Sequence, residues 1–74
     1  MDIQTNFSKV LRQKRLEAGL SQEKFAEKVG VSMRTISLLE TSKQRPTLPT
    51  LENIAKALDV KLSELLQLVE SQGD

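Results

Sequence analysis

A glycine followed closely by a serine near the middle of the chain restricts the possible folds more than any other sequence feature. Gly30 can adopt the positive φ that ends a helix, and Ser32 can cap the next helix with its hydroxyl. Val31 between them is apolar, so we expect it to point inward. This turn predicts two short helices, 22–29 and 33–41, that meet at a steep angle.

Similar capping residues divide the rest of the chain into three more helices. Thr5 or Asn6 can cap the first helix, and Gly19 can end it. Thr47 can cap the fourth helix, where Pro49 is tolerated in the first turn. No segment alternates apolar and polar residues with a period of two. We therefore predict a single all-α domain over 1–74, with helices at about 6–18, 22–29, 33–41, 48–58 and 62–69 and a frayed tail at 70–74.

Composition disfavours an enzyme. The chain has no Cys and no His, so it lacks a thiol nucleophile, the commonest zinc ligands and the usual general base near neutral pH. No apolar run approaches the roughly 20 residues of a membrane span. We expect no catalytic residue, no metal, no cofactor and no membrane association, and a cytoplasmic, nucleoid-associated location.

The charge is distributed unevenly along the chain. Residues 1–45 carry nine Lys and Arg against five Asp and Glu, whereas residues 46–74 carry two against five. The first part has a net charge of +4 and the second −3, although the whole chain has only +1. Such asymmetry favours a basic N-terminal face for a polyanion, although chance clustering gives the same pattern in a short chain.

The third helix has a polar face that the core does not need. If Ile36 points inward, Arg34 and Leu38 point the opposite way at 100° per residue. An Arg can bond guanine O6 and N7 together, and a Leu or Met can contact a thymine methyl group. The alternative is a solvated helix face with one exposed Leu. The candidate base-reading residues are Met33, Arg34, Thr35, Ser37 and Leu38.

The run from Gly19 to Ser32, together with Ile36, Ser37 and Glu40, resembles the Cro/C1-type (lambda-repressor-like, XRE-type) helix-turn-helix family. The resemblance implies a compact five-helix DNA-binding domain. It covers about residues 7–66 and places the helix-turn-helix motif at 22–41.

Two positions depart from the pattern of the family. Ser42 stands where the family usually has Gly after the third helix, so we expect a strained end there or a longer helix. Lys24 replaces the usual acidic partner of the capping Ser21, which removes one bond and adds a cation.

The resemblance assigns further roles. It implies that Arg15 and Glu40 form an inward-lying ion pair, because Glu40 falls on the buried side of its helix and needs a partner there. Gln22 corresponds to a residue that holds a phosphate while bracing the third helix. The positions matching phosphate contacts are Ser21, Gln22, Ser32, Lys43, Gln44 and Arg45.

The last helix suggests how the protein assembles. Leu62, Leu65, Leu66 and Val69 form one stripe that packs on the core, whereas Leu68 has no obvious use within one chain. In the resembled family this helix often builds a two-fold interface, so we predict a homodimer through Leu65, Leu68 and Val69. The alternative is a monomer.

The sequence thus predicts a regulator that binds double-stranded DNA at an inverted repeat, of the Cro-like repressor, restriction–modification controller or antitoxin type. A toxin or co-regulator as protein partner stays open. The alternative function is a protein-interaction adaptor that uses the same fold without sequence-specific DNA binding.

Overall fold

The computed structural model describes residues 2–72, which form five helices joined by short loops. α1 packs against α3 and α5, α2 packs against α3 and α4, and α4 packs against α5. The all-α prediction is confirmed, since the described residues contain no strand. The helices are α1 (Ile3–Glu17), α2 (Gln22–Val29), α3 (Met33–Glu40), α4 (Leu48–Ala57) and α5 (Leu62–Ser71).

A single core lies between the helices, and every helix contributes at least one fully buried side chain to it. Each such aliphatic or aromatic side chain stabilises the fold by about 1.5–3 kcal/mol relative to an exposed position. The largest fully buried side chains are Leu11, Phe25, Ile36, Leu39, Ile54 and Leu65.

The turn between α2 and α3 has the predicted conformation. Gly30 has φ of +89°, and the Ser32 hydroxyl accepts a hydrogen bond from the Thr35 N–H at 3.1 Å. Val31 is half-buried and packs against the core. α2 has the predicted bounds, and α3 and α4 each end one residue earlier than predicted.

The predicted start of α1 is wrong. α1 begins at Ile3 rather than at residue 6, because Asp2 is the cap rather than Thr5 or Asn6. The Asp2 carboxylate accepts bonds from the Gln4 N–H at 3.3 Å and from the Thr5 hydroxyl at 3.1 Å. Asn6 is buried inside the helix instead.

The predicted orientation of α5 is partly wrong. Leu65 and Val69 are only 0% and 2% exposed within a single chain, so they have no free surface for a dimer interface. Leu68 is half-buried against the core, whereas Leu66 is 38% exposed. The reason is that α5 packs on both α1 and α4 and therefore buries a broader face than one stripe.

α5 also extends two residues further than predicted and ends at Ser71. The Ser71 hydroxyl donates to the Gln67 carbonyl oxygen at 2.9 Å within this last turn. Of the predicted tail at 70–74, residues 73 and 74 lie outside the described residues.

Candidate nucleic-acid interface

A buried ion pair fixes α3 relative to α1. Arg15 Nε donates to Glu40 Oε2 at 2.6 Å, and Arg15 Nη2 donates to Glu40 Oε1 at 3.0 Å. The two side chains are 9% and 3% exposed, so this is a bidentate pair shielded from water. The ion pair predicted from the sequence is thus present in the structure.

The same pair connects to the start of α2. Arg15 Nη1 donates to the Leu20 carbonyl oxygen at 2.8 Å, and Gln22 Nε2 donates to Glu40 Oε1 at 3.2 Å. The hydrogen bond to Glu40 raises the pKa of the Arg15 guanidinium, aided by charge attraction and opposed by burial. Arg15 therefore stays charged, and α1, α2 and α3 meet at one carboxylate.

The outer face of α3 holds the predicted base-reading residues at different depths. Arg34 is exposed and Met33 is 52% exposed. Thr35, Ser37 and Leu38 are half-buried. Arg34 and Met33 are therefore the most exposed of the five, and Leu38, which was predicted to point outward with Arg34, is partly covered.

The predicted phosphate-contacting residues lie at the start of α2, at the start of α3 and in the loop after α3. Ser21 caps α2 by accepting from the Lys24 N–H at 3.1 Å, and Ser32 caps α3 in the same way. Gln22 is half-buried, and its NH₂ group carries two protons. One is donated to Glu40, which leaves the other for a second acceptor. Lys43, Gln44 and Arg45 are exposed in the loop.

The α3–α4 loop is bound to α1 through residues that the sequence analysis did not identify. Gln4 Nε2 donates to the Ser42 carbonyl oxygen at 3.0 Å, and Gln4 Oε1 accepts from Arg45 Nε at 3.0 Å. Ser8 Oγ lies 2.7 Å from Ser42 Oγ and donates to the Leu39 carbonyl oxygen at 2.6 Å. The sequence feature that indicated an unusual loop was Ser42, which stands where the resembled family usually has Gly.

Ser42 adopts φ of +62°, a conformation that costs an L-residue about 1–2 kcal/mol. The predicted strain is therefore present, and α3 does not lengthen to avoid it. The hydrogen bond from Gln4 to the Ser42 carbonyl oxygen and the one between the Ser8 and Ser42 hydroxyls offset part of this cost.

Within residues 2–72, no three Asp or Glu side chains lie close enough together to hold a metal ion. None of the helices in the same range has the length and the apolar character needed to cross a membrane.

Comparison with known proteins agrees with this architecture. Residues 11–65 match the family described as Helix-turn-helix, HTH_3, which includes the motif and its supporting helices. The chain belongs to this family. The predicted resemblance is confirmed, and the family together with the relatives below shows a transcriptional regulator of the helix-turn-helix type.

Two curated relatives have similar sequences. The chain is 38% identical over 64 residues to an uncharacterised HTH-type transcriptional regulator of Methanothermobacter thermautotrophicus, covering 86% of this chain and 93% of the relative. It is 37% identical over 68 residues to the cryptic phage CTXphi transcriptional repressor RstR of Vibrio cholerae, covering 92% of this chain and 61% of that repressor.

A solved structure shares the fold. The restriction–modification controller protein C.Esp1396I superposes with a TM-score of 0.87 at 28% identity, covering 97% of this chain and 94% of the controller.

Proposed function

We propose that this protein is a sequence-specific regulator that binds double-stranded DNA by inserting α3 into the major groove. The observation that carries the proposal is the position of Arg34, exposed on a helix whose opposite side is fixed by the buried Arg15–Glu40 pair. A helix braced in this way loses little entropy on binding, and its outward side chains keep a defined register against the bases.

The residues on this face match the chemistry of base recognition. Arg34 can donate two bonds to guanine O6 and N7, and Met33 and Leu38 can contact thymine methyl groups. The hydroxyls of Thr35 and Ser37 on the flanks can reach either base edges or nearby phosphates.

The basic part of the chain supplies the attraction to the phosphate backbone. Residues 1–45 carry a net charge of +4, and Lys43 and Arg45 are exposed just after α3. Gln22 and the N-terminus of α2 add donors beside the same face. Such contacts release counterions and give affinity without sequence preference.

We infer that the protein binds as a homodimer on an inverted repeat, because one α3 reads only about four base pairs. The chain measures 31 × 24 × 23 Å, so two copies fit side by side on one face of the duplex. Their α3 helices would then lie about 34 Å apart, which is one turn of B-DNA.

The dimer surface needs exposed apolar side chains, which the predicted set of Leu65, Leu68 and Val69 does not provide. Ile3 and Leu66 are 58% and 38% exposed and line an open groove of about 330 Å³ that is bounded by the start of α1, the α3–α4 loop, α4 and α5. A second copy that packs on Ile3 and Leu66 would bury both side chains, and burial of apolar surface is the main driving force for association. Arg45 lines the same groove, so this arrangement has to leave Arg45 uncovered for contact with DNA.

Selection of bound sites from a random pool of DNA duplexes tests the proposal. We expect enrichment of an inverted repeat whose half-sites are centred about one helical turn apart. Failure to enrich any sequence would reject sequence-specific binding and favour the adaptor function. Enrichment of a single half-site without symmetry would retain DNA recognition but reject the dimer.

A further inference from the structure

Arg45 is held by the first turn of α1, outside the helix-turn-helix motif. Gln4 accepts a bond from Arg45 Nε and donates one to the Ser42 carbonyl oxygen, both at 3.0 Å. One amide side chain therefore binds the α3–α4 loop at two points, three residues apart. Gln4 lies 41 positions before Arg45 in the chain, so this is a tertiary contact and not a local turn.

The bond at Nε determines which edge of the guanidinium is available. The group is planar and carries five N–H donors in a fixed arrangement. When Gln4 occupies the Nε proton, the four protons on Nη1 and Nη2 remain for another acceptor. One proton of Nη1 and one of Nη2 can be donated in parallel to two oxygens of one phosphate group.

Gln4 orients Arg45 without neutralising it. No Asp or Glu carboxylate within residues 2–72 lies within 4.0 Å of the Arg45 guanidinium nitrogens. Asp2 lines the same surface groove as Arg45, but its carboxylate caps α1 by accepting from the Gln4 N–H and the Thr5 hydroxyl. A neutral amide therefore orients the side chain through one exposed hydrogen bond while the full positive charge stays available.

Ser8 adds a second contact to Ser42, at the start of the loop. Its hydroxyl has one proton and lies 2.6 Å from the Leu39 carbonyl oxygen and 3.1 Å from the Gln4 carbonyl oxygen, so the shorter contact indicates that the proton is donated to Leu39. Ser42 must then donate its own proton to Ser8 across the 2.7 Å contact. Ser8 is 4% exposed and its bond to Leu39 is buried, whereas its contact with Ser42 is only partly buried.

We propose that Gln4, supported by Ser8, is a positioning residue that presents Arg45 to a DNA phosphate. The proposal rests on the proposed function, since it assumes that Arg45 contacts DNA. It extends the DNA-binding machinery to the first turn of α1, which lies outside the motif at 22–41. Without Gln4 the long Arg45 side chain would have to be ordered at the moment of binding, which weakens affinity.

A double-mutant cycle between Gln4→Ala and Arg45→Ala tests the proposal, with the selected duplex as probe at several salt concentrations. We expect Gln4→Ala to weaken binding by about three- to tenfold in the wild-type protein, the range of one lost hydrogen bond. In the Arg45→Ala protein the same change should weaken binding by less than about twofold, because no oriented guanidinium remains to be lost.

Gln13→Ala is the matched control, since Gln13 is an exposed glutamine of α1 whose amide binds Glu17 at 3.1 Å. We expect it to bind DNA like the wild type. If Gln4→Ala weakens DNA affinity equally in the wild-type and Arg45→Ala proteins, Gln4 has a structural role only and the proposal is overturned. Binding by Gln4→Ala that equals wild-type binding would overturn it as well.

An NMR measurement on the free protein gives a readout that does not depend on DNA. Exchange of the Arg45 Nε proton with water should be slower in the wild type than in Gln4→Ala, and equal exchange would overturn the proposal.

The double-mutant cycle also distinguishes a failure of the proposed function from a failure of the proposed role of Gln4. Wild-type protein that binds no duplex rejects the proposed function itself. Arg45→Ala that binds like the wild type rejects the role of Arg45, and the positioning role of Gln4 with it.

Discussion

At the scale of single residues, the two exposed arginines near α3 have different expected roles. Arg34 projects from the helix itself, whereas Arg45 lies in the loop beyond it and is bound through Gln4. A side chain on the helix can reach base edges, and one in the loop reaches the backbone, which has the same chemistry in every sequence.

Arg34→Ala should therefore cost about 1–3 kcal/mol of binding free energy on the selected site and much less on random DNA. Arg45→Ala should weaken both similarly and reduce the slope of log affinity against log salt by about one. Fluorescence titration of both variants on both duplexes is the measurement. Equal losses on the two duplexes for Arg34→Ala would remove Arg34 from the base-reading residues.

The Arg15–Glu40 pair should be strongly coupled in folding. Removing one partner leaves the other buried without compensation, which costs about 3–5 kcal/mol, so Arg15→Ala and Glu40→Ala should each destabilise the fold strongly. The double variant should be more stable than the sum of the two losses predicts. Urea unfolding of all four proteins measures this coupling.

A more exposed ion pair, formed by two side chains of α1, provides the control. Lys14 Nζ lies 3.2 Å from Glu17 Oε1, with the two side chains 33% and 52% exposed. Glu17→Ala should cost less than about 1 kcal/mol because water screens exposed pairs. Additive effects of Arg15→Ala and Glu40→Ala would contradict the account of the buried pair.

At the scale of elements, local signals predict helix boundaries well where a single capping residue is available. α2 and α3 begin where Ser21 and Ser32 cap them, as expected from the sequence. The predicted start of α1 is wrong because Asp2, Thr5 and Asn6 are all acceptable caps, and the local sequence does not show that the helix begins at Ile3 with Asp2 as its cap.

The α3–α4 loop shows where sequence patterns stop being informative. The Arg15–Glu40 pair could be expected because a carboxylate on a buried helix face requires a partner. The contacts of Gln4 and Ser8 with the loop join residues more than 30 positions apart, and no periodicity relates them. Only the packing of α1 on α3 brings these side chains together.

The end of α3 yields a prediction about Ser42. Ser42→Ala removes the hydroxyl bond to Ser8 but keeps a side chain at a φ of +62°, so it should destabilise the fold by about 0.5–1.5 kcal/mol. Ser42→Gly loses the same bond but relieves the backbone strain, and it should be more stable than Ser42→Ala by roughly 1 kcal/mol. Thermal unfolding of the two variants compares them directly, and the reverse order would contradict this explanation of the loop.

At the scale of the whole molecule, assembly was the least predictable property. The orientation of α5 depends on how many helices it contacts, and the amphipathic pattern does not give that number. The residues predicted for the interface, Leu65 and Val69, are needed for the chain's own core. The exposed apolar side chains that remain on this side are Ile3 and Leu66.

Leu66→Glu should therefore weaken dimerisation, because it places a charge in the proposed seam on both copies. Leu16→Glu is the matched control, since Leu16 is 52% exposed and lines a different surface depression. Sedimentation equilibrium at tens of micromolar should show a dimer for the wild type and for Leu16→Glu, and a shift to monomer for Leu66→Glu. A wild type that stays monomeric, both free and as one protein per selected site, would reject the dimer.

The central claim is that this chain distinguishes one DNA sequence from others through the face of α3. The most direct test is equilibrium titration of the wild-type protein on the selected duplex and on a scrambled duplex of the same composition, at one fixed salt concentration. We expect the selected duplex to bind at least about a thousandfold more tightly, as specific regulators do. Equal affinity for the two duplexes would show that binding is only electrostatic and would contradict the account.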